Sequence, residues 1–196
     1  MMELGYNAKA AETRSMEDSA RAVYERMCKA VCVHTKLNEL AMSATQALGY
    51  NGFKRWHRHR ARKLFDCKLR LMNDLFDKFR VRPEIGDYEV TYAPKTLEEH
   101  LKSWEKNLLS AIEEVGAASK EYFELAGTRC ELADELARCF AHDFEKVGRY
   151  IRRFNESDWL ALDMHIVDDR LHDKYKRKEE EGRPWNMTGC GFASIR

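Results

Sequence analysis

The chain has 196 residues, 44% hydrophobic and 34% charged, with ten Gly, three Pro and a formal net charge of +1. Charged residues lie among apolar ones rather than in blocks, which suits one soluble helical domain and excludes general disorder. The small net charge excludes a uniformly basic nucleic-acid binder, yet it hides an asymmetry: Lys54 to Arg82 holds eleven basic and three acidic residues, and Glu84 to Glu145 six basic and fifteen acidic. Opposed fields of this kind favour docking between surfaces or self-assembly.

The first residues, "MMELGYNAKAAETRSMEDSAR", lack the apolar run of a signal peptide, and no window reaches the length of a membrane span, so a cytoplasmic protein is expected. Residues 1–17 read as a flexible segment, 18–154 as a bundle and 155–196 as a C-terminal helix and tail. A first helix over 18–48 carries Val23, Met27, Ala30, His34, Leu37, Ala41, Ala44 and Leu48 on one stripe. "GYNG" at 49–52 ends it.

A second helix follows from about Phe53 to Phe79, opening with the very basic "FKRWHRHRARKLFDCKLRLM". Its stripe reads Phe53, His57, Ala61, Leu64, Lys68, Leu71 with Met72, Leu75 and Phe79. Arg55, Arg62, Lys63 and Arg70, with His59 and Asp66, fall outside it and are expected to be solvated or to face a partner. His57 and Lys68 lie inside it, where a charge needs a partner or shifts its pKa. Residues 80–96 hold two prolines and read as a long ordered crossover. The third helix begins at Thr96, an N-cap with Glu99 as its capping-box partner, and presents Trp104, Leu108, Ala111, Val115, Ala118, Tyr122 and Leu125. "AGTRC" breaks it. The fourth carries Leu132, Leu136, Phe140, Asp143, Val147, Ile151 and Phe154, which puts a carboxylate on an apolar face. A fifth segment starts from a capping Ser157 and frays into charge, and the tail beyond it would order only by docking Trp185 or Phe192.

Two helices, a long crossover and two more helices is the connectivity of ferritin-like bundles. The stretch "RPEIGDYEVTYAPKTLEEHLKSWEKNLLSAIEEV" resembles the ferritin and bacterioferritin segment from the end of the second helix into the third, and "ELADELARCFAHDFEKVGRYI" resembles the fourth helix. The resemblance spans roughly residues 20–154 and implies an all-α, ferritin-like four-helix bundle. It also implies a diiron centre held by a Glu from each of two helices and Glu-x-x-His from the other two. The chain departs from that ligand set. Its second helix offers Phe65 with Lys68, or Cys67 with Arg70; the first offers Cys32 or Glu39; the third offers Glu113 or Glu114; the fourth offers "CFAH" or "HDFE". No metal is therefore expected, and if iron is retained its ligands come from His34, Glu39, Glu114, His142 and Asp143.

A buried polar layer of His34, Lys68, Glu114 and Asp143 is expected instead, with the Lys68 ammonium in place of the metal charge and paired to Asp143 or Glu114. The patch Arg55, Arg58, Arg62 and Lys63, with Trp56 as a stacking ring, invites nucleic acid, but the acidic second half favours a protein partner. His165, Asp169 and His172 have metal-ligand spacing on a face that is polar, so a solvated face is expected there. Six cysteines show no CxxC pair and read as reduced, packed thiols. No nucleophile motif, GxGxxG or phosphate loop occurs, which leans away from an enzyme. The expected role is a structural or assembly subunit, a homo-oligomer or part of a larger complex, with iron storage or oxidation as the alternative.

Overall fold

The computed structural model describes residues 2–82, 87–156 and 161–181. They form five helices, α1 (Met2–Ala47), α2 (Asn51–Phe79), α3 (Leu97–Ala126), α4 (Glu131–Glu156) and α5 (Ala161–Glu180), with no strand among the described residues. This is the all-α bundle with a long connection between α2 and α3 and a C-terminal fifth helix that the sequence predicts.

Local chemistry sets most boundaries. Gly49 and Gly127 take φ of 84° and 65° at the ends of α1 and α3, the left-handed conformation that glycine adopts without a Cβ clash. Thr96 Oγ1 accepts the Glu99 N–H at 3.1 Å, while the Glu99 carboxylate accepts the Lys95 N–H at 2.7 Å, so both sides of the capping box are used. Two boundaries differ from expectation. α1 is already helical at Met2, since its first turns are rich in Ala, Glu, Lys and Met, all strong helix formers, although the core begins at Ala20. α2 ends on Arg80 with φ 57°, a left-handed residue that is not glycine. Ser157, Trp185 and Phe192 lie outside the described residues.

Ring contacts fix the direction of each helix. Tyr24 near the start of the α1 core touches Phe79 at the end of α2 (6.0 Å) and Tyr122 at the end of α3 (5.1 Å), and its hydroxyl accepts from Cys130 before α4. At the other end Phe53 of α2 lies 6.1 Å from His100 of α3 and 5.6 Å from Tyr150 of α4. Therefore α2 and α3 run parallel, and the connection between them must travel the length of the bundle. A 29-residue helix is about 43 Å long, within reach of a largely extended connection of this size. The core between the helices holds Trp56, Trp104, Met27, Leu71, Leu101, Leu108 and Leu136, all fully buried, each worth about 2 kcal/mol of apolar transfer.

The fifth helix lies along the first half of α2. His165 stacks on Tyr50 (5.1 Å), and Tyr175 sits against His59 (5.0 Å), so α5 runs parallel to α2. Asp168 Oδ1 accepts the Phe53 N–H at 2.8 Å and so caps α2 from 115 residues away, where Tyr50 supplies no side-chain cap. The approach is close enough that a Cβ on Gly52 would overlap the Asp168 backbone carbonyl.

The buried arc of α2 is wider than the periodicity predicts, because α5 covers it at His59 while α4 meets it at Arg60. Trp56, His59, Arg60 and Cys67 are buried, whereas Ala61 and Lys68 are half-buried at the edge. Among the cysteines, Cys28, Cys32, Cys67 and Cys130 are buried free thiols, as read from the sequence, but Cys139 is disulfide-bonded. No helix among the described residues is long and apolar enough to cross a membrane.

Candidate functional site

Two hydrogen-bonded polar clusters stand out in the bundle interior among the described residues. The first is a chain of hydrogen bonds joining α1, α2, α3 and the crossover. Asn38 Nδ2 donates to the His34 carbonyl at 2.8 Å, one turn back on α1, which turns its Oδ1 toward His57 Nδ1 at 3.0 Å. His57 therefore carries its proton on Nδ1, and its Nε2 accepts from His100 Nε2 at 3.2 Å. His100 Nδ1 is then left as the acceptor for the Tyr92 hydroxyl at 2.8 Å, with the His100 carbonyl as that hydroxyl's alternative acceptor at 3.0 Å.

Each donor in this chain meets one acceptor, and both imidazoles are neutral. Burial drives His57 well below its usual value, helped by His100, Lys146 and Arg60, and brings His100 down to about 3. A second proton on His57 would bring a second N–H into the contact between the two Nε2 atoms, and one on His100 would turn the Nδ1 that accepts from Tyr92 into a donor. The geometry holds four chain segments in one register rather than offering an exposed base.

The second group lies nearer the bundle middle. The Arg60 guanidinium of α2 pairs with Asp143 Oδ1 of α4, and both side chains are nearly removed from water. They line a small cavity, about 30 Å³ of space open to the centre of a water molecule, together with His34, Asn38, Lys63 and Trp104. Burial pushes the Asp143 carboxyl up against the opposing pull of Arg60, Lys146 and His142. It also pushes His34 down to about 4, and lowers Lys63 to about 8 and Lys146 to about 7, with Arg60 adding repulsion in the two lysines. Lys146 lies 4.8 Å above the Trp56 ring and donates to the Tyr175 hydroxyl at 3.2 Å, an amphipathic side chain held by rings from two helices.

Of the residues expected in a polar layer, the structure brings together His34 and Asp143 and leaves out the other two. Glu114 is exposed, and Lys68 is half-buried at the α1 side near Cys28. The partner of Asp143 is Arg60, one helical phase from the expected lysine. The error lay in preferring Ala61 and Lys68 over Arg60 and Cys67 as inward positions, when both sets are spaced seven apart and only the packing of later helices decides between them. Asn38 and His100 were missed because the stripes of α1 and α3 were each read one position too narrow. Asn38 stands four after His34, and His100 four before Trp104, which is a signal the sequence did contain.

The basic patch is similarly reassigned. Arg55 and Arg58 both reach Glu179 of α5 and Lys63 lines the cavity, so three of the four face this same chain; Arg62 is exposed. His165 and Asp169 are exposed and His172 is half-buried, with His165 spent on the Tyr50 stack.

The ferritin-type diiron centre does not fit these donors. Among the described residues no group of three or more His, Cys, Asp or Glu side chains is placed to hold a metal ion. Glu39 and His142 are exposed with Glu114, so three of the five candidate ligands point away from the cavity. The carboxylate that remains, Asp143, is already neutralised by a guanidinium, whereas two ferrous ions call for several free carboxylates.

The sequence matches no protein-family model and no curated protein. Among solved structures it is similar to an open pore ferritin from the hyperthermophilic archaeon Archaeoglobus fulgidus, with 8% identity and a TM-score of 0.59 over 81% of this chain and 94% of that one. At that identity the likeness is one of backbone alone: the chain has a ferritin-like helical fold.

Proposed function

We propose that this chain is a structural, self-associating bundle that uses the ferritin-like fold for packing and holds no iron of its own. The observation that supports it is an apolar stripe on the outer face of α2. Phe65, Leu69 and Phe76 are exposed by 50%, 44% and 46%, and half-buried Met72 lies between them at spacings of four, three and four. Such a run on a water-facing helix is a docking surface in need of a cover.

The cover is a second copy of α2 lying antiparallel. Under a two-fold axis between Leu69 and Met72, Phe65 of one copy meets Phe76 of the other and Leu69 meets Met72, so the stripe complements itself. Arg62 and Asp66 flank one end and Asp77 and Arg80 the other, which sets cation beside anion at both ends. A groove walled by Thr35, Glu39 and Ala61 lies beside Phe65 and would receive the incoming ring. Against nucleic acid weighs the pairing of Arg55 and Arg58 with Glu179 of α5, and against iron the exposure of Glu39, Glu114 and His142.

Light scattering and iron analysis on one sample test both halves. Expected are a concentration-dependent dimer or larger species, a monomer for Phe65→Ser/Phe76→Ser with unchanged helical circular dichroism, and less than one iron per chain after anaerobic Fe(II) loading and desalting. A wild-type monomer at every concentration, or stoichiometric retained iron, overturns the proposal.

A further inference from the structure

We infer that the central cavity is a binding site for a small inorganic monoanion of the halide class. Three of the residues that line it each carry a buried polar atom with no hydrogen-bond partner: Trp104 Nε1, Arg60 Nε and His34 Nδ1. Their residues are 2%, 9% and 5% exposed. An unsatisfied buried polar atom costs about 1–3 kcal/mol, so three around one void call for an occupant.

The chemistry of the three atoms says what kind. Trp104 Nε1 and Arg60 Nε can only donate, and the neutral His34 ring can donate by carrying its proton on Nδ1. A water molecule has two lone pairs, so it can accept from two of the three and leaves the third donor without a partner. A monoanion accepts from all three and asks for nothing in return.

Charge and size agree. Arg60 and Lys63 put two cations in the lining against the single carboxylate of Asp143, an excess of one positive charge in a place shielded from solvent. A monoanion neutralises it. The space, about 30 Å³, admits one or two water-sized particles and no organic acid of any length. The site replaces the charge balance that a metal with surplus carboxylates would have, with the signs inverted. It does not depend on α2 self-association.

Chemical unfolding of the full chain in sodium chloride against sodium gluconate at equal ionic strength tests it, because gluconate is too large to enter. Expected is a gain with chloride alone that sets in near Kd, the folding equilibrium constant rising about tenfold per decade of concentration above it. Trp104→Phe keeps the ring and removes one donor, and Lys63→Met removes the excess charge. Each is expected to weaken the chloride-dependent gain at least tenfold in apparent Kd, read as a difference between the two salts so that any general loss of stability cancels. Bromide-soaked crystals should show an anomalous peak between Trp104 and Arg60. Equal unfolding midpoints in the two salts, or density for water at that position in bromide, overturns the inference.

Discussion

Lowering the pH from 7.5 to 5.0 should destabilise this protein far more than its balanced charge would suggest. Four buried histidines are held neutral: burial takes His34 down to about 4, His100 to about 3 and His59 to about 2, and takes His57 well below 6.5. Each pKa is lower in the folded chain than in the unfolded chain, so the unfolded state takes up the proton first. The full stability is present above pH 6.5 and is lost as pH falls toward the folded values. At pH 5.0 each ring costs about 2 kcal/mol, roughly 8 kcal/mol for four, against a typical total of about 5–15 kcal/mol. Asp143, Asp168 and Glu135, raised by burial, offset part of this by taking up protons in the folded state.

Urea titrations followed by circular dichroism at pH 7.5, 6.5, 6.0, 5.5 and 5.0 give the net proton uptake on unfolding from the slope of stability against pH. His59→Phe and His100→Phe should each reduce that uptake by about one proton near pH 5.5. Uptake below one proton across the whole range, or uptake unchanged in both variants, would refute the reasoning.

Three further outcomes follow from single contacts. Arg60→Met strands a buried carboxylate and should cost about 3–5 kcal/mol, whereas the double variant Arg60→Met/Asp143→Leu should regain most of it, as a double-mutant cycle in urea would show. Gly52→Ala drives a Cβ into the Asp168 carbonyl, and a loss on the order of 3 kcal/mol with faster proteolysis within α5 is expected, since the lesion separates α5 from α2 before it affects the bundle. Arg80→Gly relieves a left-handed residue at the end of α2 and should raise stability by about 0.5–1 kcal/mol in the same assay.

The architecture was legible because its signals are local. A capping Thr96 with Glu99, glycines after α1 and α3, and apolar spacings of three and four all act within one or two turns, and each reappears in the structure. The site was legible only where one helix decided it: His34, His57 and Asp143 fall on their own stripes whatever surrounds them. Arg60 was not, because its burial is decided elsewhere. On a wheel an arginine beside Ala61 belongs in water, and only Asp143 across the bundle and α5 along its flank make the inward position the better one. Asp168 is the same case in reverse, since nothing near it in sequence hints that it caps a helix through Phe53, 115 residues earlier.

These two misses share a cause, and it accounts for the basic start of α2. A helix without a local N-cap and with a row of cations is a poor helix start, because the unsatisfied amides and the positive end of the helix dipole repel that charge. α5 supplies what is missing: the Asp168 carboxylate on the first amides, Glu179 between Arg55 and Arg58, and Tyr175 against His59. Deeper in, Asp143 performs the same service for Arg60 from α4. The cations of α2 are thus a set of sockets for anions carried by later helices. This ties the order of α2 to the docking of the C-terminal helix, and any change that frees α5 should weaken the start of α2 along with it.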